Sequence, residues 1–113
     1  GRRCILATSA SISDERQIRA ALDRVGAGRC IERIYCFKNT GLPKGEAFYR
    51  FILQDLGIDA SQAVMVGDSF QYDVLIPNSL GIHAVWFNPH TDETRQSPLH
   101  HTVHSMAELL NTL

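Results

Sequence analysis

Two carboxylates five positions apart, Asp68 and Asp73, follow the short apolar run Val64-Met65-Val66 and the turn Gly67-Asp68-Ser69. If that run is a strand, both acids project near its carboxyl end, where open α/β sheets bind their ligands. Carboxylate oxygens are hard donors. They suit Mg²⁺, which takes one or two carboxylates together with phosphate oxygens and water. Ser69 adds a hydroxyl to the same turn. The plainer alternative is that the two acids cap the following helix, since acids favour helix N-termini. The second Asp and the downstream Leu80-Gly81-Ile82, which opens another apolar run to Phe87, favour the metal-binding reading.

Other groups are weaker as chemistry. Thr8 and Ser9 end the apolar run Cys4-Ile5-Leu6-Ala7, where a hydroxyl commonly does no more than close a turn. Lys44, in Leu42-Pro43-Lys44, has the appearance of a solvated residue at a helix start, and Lys38 lies further off. His100, His101 and His104 form a tract of the kind that can bind a transition metal. Their expected setting is an exposed tail in which the imidazoles do not converge. Cys30 and Cys36 lack the close spacing of a structural zinc site. Trp86 is expected in the core or a pocket wall.

These groups need elements to hold them. Ser13 before Asp14-Glu15 predicts a capped helix start, followed by Ile18, Ala21, Leu22 and Val25 at helical spacing. Ile34 to Phe37 reads as a second strand, and 39–43 as a loop. A helix then carries Phe48, Phe51, Ile52 and Leu56 and closes at Gly57. Ala63 to Val66 is a third strand. A helix through roughly 72–80 follows, interrupted by Pro77. Ile82 to Phe87 is a fourth strand, 88–98 a polar loop, Thr102-Val103 a last short strand, and Ser105 the cap of a closing helix. Alternating strands and helices imply right-handed crossovers and a parallel sheet, hence a three-layer α/β/α sandwich in a single domain over 1–113.

With 113 residues, 44% hydrophobic and 20% charged, the chain has the balance of a globular domain. A net charge of −1 with scattered basic residues predicts no nucleic-acid footprint. No apolar run approaches the ~18 residues of a membrane span, and Gly1-Arg2-Arg3 followed by four apolar residues predicts no signal peptide. Three cysteines, an odd number, predict buried free thiols in a reducing compartment, so the expected location is cytoplasmic.

The stretch from Val64 to Asp73, with Gly81-Ile82 downstream, resembles the acidic fourth motif of the haloacid dehalogenase-like (HAD-like) hydrolase superfamily. Ile5-Leu6-Ala7-Thr8-Ser9 is similar to its second motif, where a Ser or Thr binds the phosphoryl group. Leu42-Pro43-Lys44-Gly45-Glu46-Ala47-Phe48 is similar to its third, with a departure: aligned on the proline, the usual lysine position holds Leu42, and the basic residue is Lys44. The resemblance runs from Ile5 to Leu110. It implies a Rossmann-like core and a Mg²⁺-dependent phosphatase acting on a small phosphorylated metabolite through an aspartyl-phosphate. Thr8 and Lys44 would be its catalytic residues, Thr8, Ser9 and Lys44 its substrate-binding residues, and Asp68 and Asp73 would hold the metal.

The resemblance also implies a nucleophilic Asp-x-Asp on the first strand. The Asp residues here are 14, 23, 55, 59, 68, 73 and 92, and none has another Asp two positions on. The expectation is therefore a partial core, inactive alone, whose missing middle strand comes from an upstream segment or a second chain, a homodimer partner included. Two alternatives stay open: a non-catalytic remnant that binds phosphate or a partner, and a Gly-Asp-Ser esterase using Ser69. Dehalogenation in place of phosphate hydrolysis also stays open.

Overall fold

The first helix begins one residue later than the sequence suggests. In the computed structural model, which describes residues 3–113, Asp14 is the N-cap of α1 (Glu15–Arg24). Its Oδ1 accepts from Gln17 N–H at 2.9 Å, and its own N–H donates to Gln17 Oε1 at 2.9 Å. Ser13 loses the role because the residue three positions beyond it is Arg16, whose side chain has no acceptor to return the bond. Gly1 and Arg2, part of the signal-peptide reading, lie outside the described residues.

The chain divides into two units, Gly1–Ile52 and Leu53–Leu113. In the first, β1 (Ile5–Ala7) and β2 (Arg33–Tyr35) pair in parallel with Leu6 beside Ile34, and α1 is the crossover. The Arg19 guanidinium donates to Gly28 O at 2.6 Å and Ile31 O at 2.7 Å, tying α1 to the approach to β2. β2 stops at Tyr35, short of the expected Phe37. Asn39 is the reason: its Oδ1 takes the Cys36 N–H at 2.9 Å and its Nδ2 donates to Ile34 O at 2.7 Å. That turns the chain into the single helical turn α2 (Phe37–Thr40), which ends at Gly41 with φ 74°, a left-handed conformation suited to glycine. Helix α3 (Glu46–Leu56) begins in this unit. Ile34, Tyr35, Cys36, Phe48 and Tyr49 are buried, and each large apolar side chain so buried contributes about 1.5–3 kcal/mol. Cys36 fits the expectation of buried thiols; Cys4 and Cys30 correct it, both being exposed.

In the second unit β3 (Val64–Gly67), β4 (His83–Phe87) and β5 (His100–Val103) form a parallel sheet in that order, with Gly67 beside Trp86 and Trp86 beside Thr102. Alternate residues point to opposite faces. Met65, Ala84 and Trp86 pack with Phe70 and Val74 on one face. Val66, Val85, Phe87 and Val103 pack with Leu109 on the other. Helical residues thus cover both faces, which gives this unit its three layers. Leu109 belongs to α5 (Met106–Thr112), capped by Ser105, whose Oγ accepts from Glu108 N–H at 3.1 Å.

The interrupted helix breaks upstream of its proline. A π-helical turn, Phe70–Leu75, runs directly into α4 (Ile76–Ser79), and Ile76 N–H donates to Gln71 O, five residues back. Pro77 lacks an N–H and its ring crowds the carbonyl four residues earlier, so the strain is relieved by widening the turn before it. The polar loop after β4 folds back along the outer edge of β5. Ser97 and His100 exchange both backbone bonds, and the Thr102 hydroxyl accepts from Arg95 N–H and donates to Arg95 O, both at 2.8 Å. The histidine tract is accordingly no exposed tail: His100, His101 and His104 are half-buried. Among the described residues β1 pairs with β2 alone and β3 with β4 alone.

Candidate functional site

The candidate residues divide between the two units: Thr8, Ser9 and Lys44 in the first, Asp68 and Asp73 in the second. Thr8 follows β1 directly. Its N–H donates to Tyr35 O at 3.0 Å, extending the parallel ladder, and its Oγ1 accepts from Ala10 N–H at 3.2 Å. That turn is what the plainer sequence reading expects. A hydroxyl used as acceptor still has its proton to donate, so the geometry is also compatible with binding a phosphoryl oxygen. Ser9 is exposed, while Lys44 is half-buried in the bend just before α3.

In the second unit, Gly67 ends β3 and Asp68 leaves it exposed at the strand's carboxyl end, as the sequence expects. Asp73 is different. It is 3% exposed, on the first turn of the π segment, and its Oδ2 accepts from Ser69 N–H at 3.0 Å. Its carboxylate packs onto Gly67 so closely that a Cβ there would overlap it. The turn therefore needs both residues: glycine leaves the room, and Asp73 fills it. Ser69 Oγ accepts from Tyr72 N–H at 3.3 Å, the capping arrangement that the plainer alternative gave to the acids.

Sequence reasoning missed the part played by Trp86. It is 8% exposed, as a core residue should be, but its Nε1–H donates to Asp68 O at 2.9 Å. The cue was available: a buried indole must place its N–H on an acceptor. The ring lies edge-to-face with Phe70 (centroids 5.1 Å apart), and the Arg95 guanidinium sits 4.3 Å from the Phe70 centroid.

The donor set fits Mg²⁺. One exposed carboxylate, supported by a buried one that orders the turn, matches an ion that keeps several waters and binds phosphate oxygens. Zinc needs three or four protein ligands, and among the described residues no three His, Cys, Asp or Glu side chains gather as a metal site. Nor is any described helix long and apolar enough to cross a membrane.

The HAD-hydrolase-like family model matches residues 43–113, more than half of the chain. The chain belongs to the HAD-like hydrolases. Pyrimidine 5'-nucleotidase PynA of Streptococcus pneumoniae is 35% identical to this HAD-like chain over 69 residues, 58% of this chain and 29% of that protein. A HAD phosphatase from Thermococcus onnurineus superposes with a TM-score of 0.74 at 25% identity, over 96% of this chain and 49% of that one. A 2-haloacid dehalogenase from Pseudomonas syringae shares the fold, with a TM-score of 0.67 at 24% identity over 89% of this chain and 42% of that one. The chain thus spans about half the length of the phosphatase and under a third of the nucleotidase.

Proposed function

We propose that residues 1–113 form one partial HAD-like core domain of a Mg²⁺-dependent phosphatase that acts on a small phosphorylated metabolite. The observation that carries the reading is the Gly67-Asp68-Ser69 turn, with Asp68 exposed at the end of β3 and Asp73 locked beneath it. Similarity to a nucleotidase and a phosphatase supports phosphate ester hydrolysis over dehalogenation.

In this reading Thr8, with Ser9 beside it, donates to a phosphoryl oxygen. Lys44 offsets phosphate charge, and Asp68 holds the ion, the roles that the family resemblance implies for each. Asp73 acts through the turn, because its Oδ2 is committed to Ser69 N–H. Bound Mg²⁺ would neutralise phosphate charge and so favour attack on phosphorus. The attacking carboxylate is assigned to an Asp outside these residues, since no Asp-x-Asp occurs among them. Attack would break the bond from phosphorus to the leaving oxygen and give an aspartyl-phosphate, which water would then hydrolyse to inorganic phosphate. The chain alone is therefore expected to bind Mg²⁺ and to hydrolyse nothing. A segment or partner chain carrying the nucleophile, a homodimer included, would supply the activity.

The test is a Mg²⁺ titration of the chain and of Asp68→Asn, followed by calorimetry or amide shifts. Binding by the parent that the variant lacks supports the reading. Equal behaviour of the two proteins sinks it and leaves a non-catalytic remnant.

A further inference from the structure

The peptide unit between Asp68 and Ser69 is held at both ends. Its carbonyl, from Asp68, accepts from Trp86 Nε1–H at 2.9 Å, and its N–H, from Ser69, donates to Asp73 Oδ2 at 3.0 Å. A peptide is planar, so two bonds on opposite ends fix the backbone rotation on either side of it, and with it the direction in which the Asp68 side chain leaves the turn. Packing alone would not require this: phenylalanine would fill most of the same space without the N–H. The register places Trp86 on the neighbouring strand beside Gly67, within reach of the next residue's carbonyl. Phe70 against its ring, and Arg95 with its guanidinium 5.8 Å from the ring centroid, hold the indole in place.

We infer that Trp86 is a positioning residue for the Asp68 carboxylate, acting through the Asp68 carbonyl. The inference rests on the reading of Asp68 as a Mg²⁺ ligand. Second-layer hydrogen bonds of this kind orient metal ligands, and their loss lowers affinity. Removal of one such bond is worth roughly a five- to tenfold change in a binding constant.

Trp86 is the chain's single tryptophan, so a ¹⁵N-labelled sample gives one indole N–H resonance that needs no assignment. The experiment titrates MgCl₂ into the parent chain, Trp86→Phe and Asp68→Asn. It also measures indole N–H exchange in the parent with and without saturating Mg²⁺. The expected result is a Mg²⁺-dependent shift of the indole resonance and a dissociation constant about five- to tenfold weaker in Trp86→Phe. Indole exchange should slow by the same factor when Mg²⁺ is bound, because coupling between two binding events is reciprocal. Asp68→Asn should keep the indole resonance and lose the response to Mg²⁺. If Trp86→Phe binds as tightly as the parent, or if Mg²⁺ leaves indole exchange unchanged, the inference is overturned while the metal reading stands. If the parent does not respond to Mg²⁺, the metal reading falls and takes this inference with it. Should Trp86→Phe fail to fold, the exchange measurement on the parent decides.

Discussion

Replacing Gly67 by alanine should damage the turn far more than one methyl group ordinarily would. A Cβ at Gly67 overlaps the Asp73 carboxylate and its Cβ. Asp73 has little room to retreat, being 3% exposed and bonded to Ser69 N–H at 3.0 Å. Overpacking a tight site costs about 1–3 kcal/mol, and loss of a hydrogen bond in a buried site about 1–3 kcal/mol. The two overlap, since one movement of Asp73 relieves the first by giving up the second, so the expected destabilisation is roughly 2–4 kcal/mol. For a chain of 113 residues that corresponds to a fall of about 8–16 °C in melting temperature. Urea or thermal unfolding followed by fluorescence of Trp86 reports on the right unit. The decisive comparison repeats the substitution in Asp73→Gly, which removes the Cβ along with the carboxylate. With the carboxylate and its Cβ both gone, the three atoms an added methyl would meet first are removed, and Gly67 is not among the positive-φ glycines. There Gly67→Ala should stabilise by about 0.4–1 kcal/mol through the unfolded chain. The same cost in both backgrounds, or no cost in the parent, would refute the packing argument.

Asn78→Ala should destabilise the second unit by roughly 2–3 kcal/mol, measured by urea denaturation, because it strips partners from Ile82 O, Leu99 O and His100 at once. Asn39→Ala removes the cap on Cys36 N–H and the bond to Ile34 O; a loss of about 1–2 kcal/mol is expected in the same assay. The Arg3 guanidinium, hydrogen-bonded to Glu32 at 2.9 Å, holds that carboxyl below its ordinary value. A depressed carboxyl contributes stability above its unfolded pKa and loses it as pH falls through the folded value. An NMR titration should therefore find Glu32 titrating low in the parent and nearer the ordinary glutamate value in Arg3→Ala.

Much of this was legible from residue types. Apolar runs closed by Gly67-Asp68-Ser69 and opened by Gly81-Ile82 placed β3 and β4 to within a residue, since strands inside a parallel sheet favour continuous apolar stretches. What stayed hidden depended on reciprocal partners. Asp14 outcompetes Ser13 only because Gln17 answers it, and β2 ends early only because Asn39 reaches back to Ile34 and Cys36. Pro77 announced a disturbance but not its place, because the ring acts on the preceding turn. At the site, Asp68 lies where the pattern put it. The division of labour with Asp73 was not legible, since two acids five positions apart look alike until one is seen to be buried.

The loop that returns along β5 has a consequence for how the second sheet can be extended. Ser97 takes up the backbone groups of His100, and the Thr102 hydroxyl occupies Arg95 where a peptide partner would otherwise pair. That side is partly covered by its own loop, while β3 on the opposite side pairs only with β4 among the described residues. The sheet therefore has a direction of growth. A synthetic strand that extends the second sheet should dock beside β3 and not beyond β5.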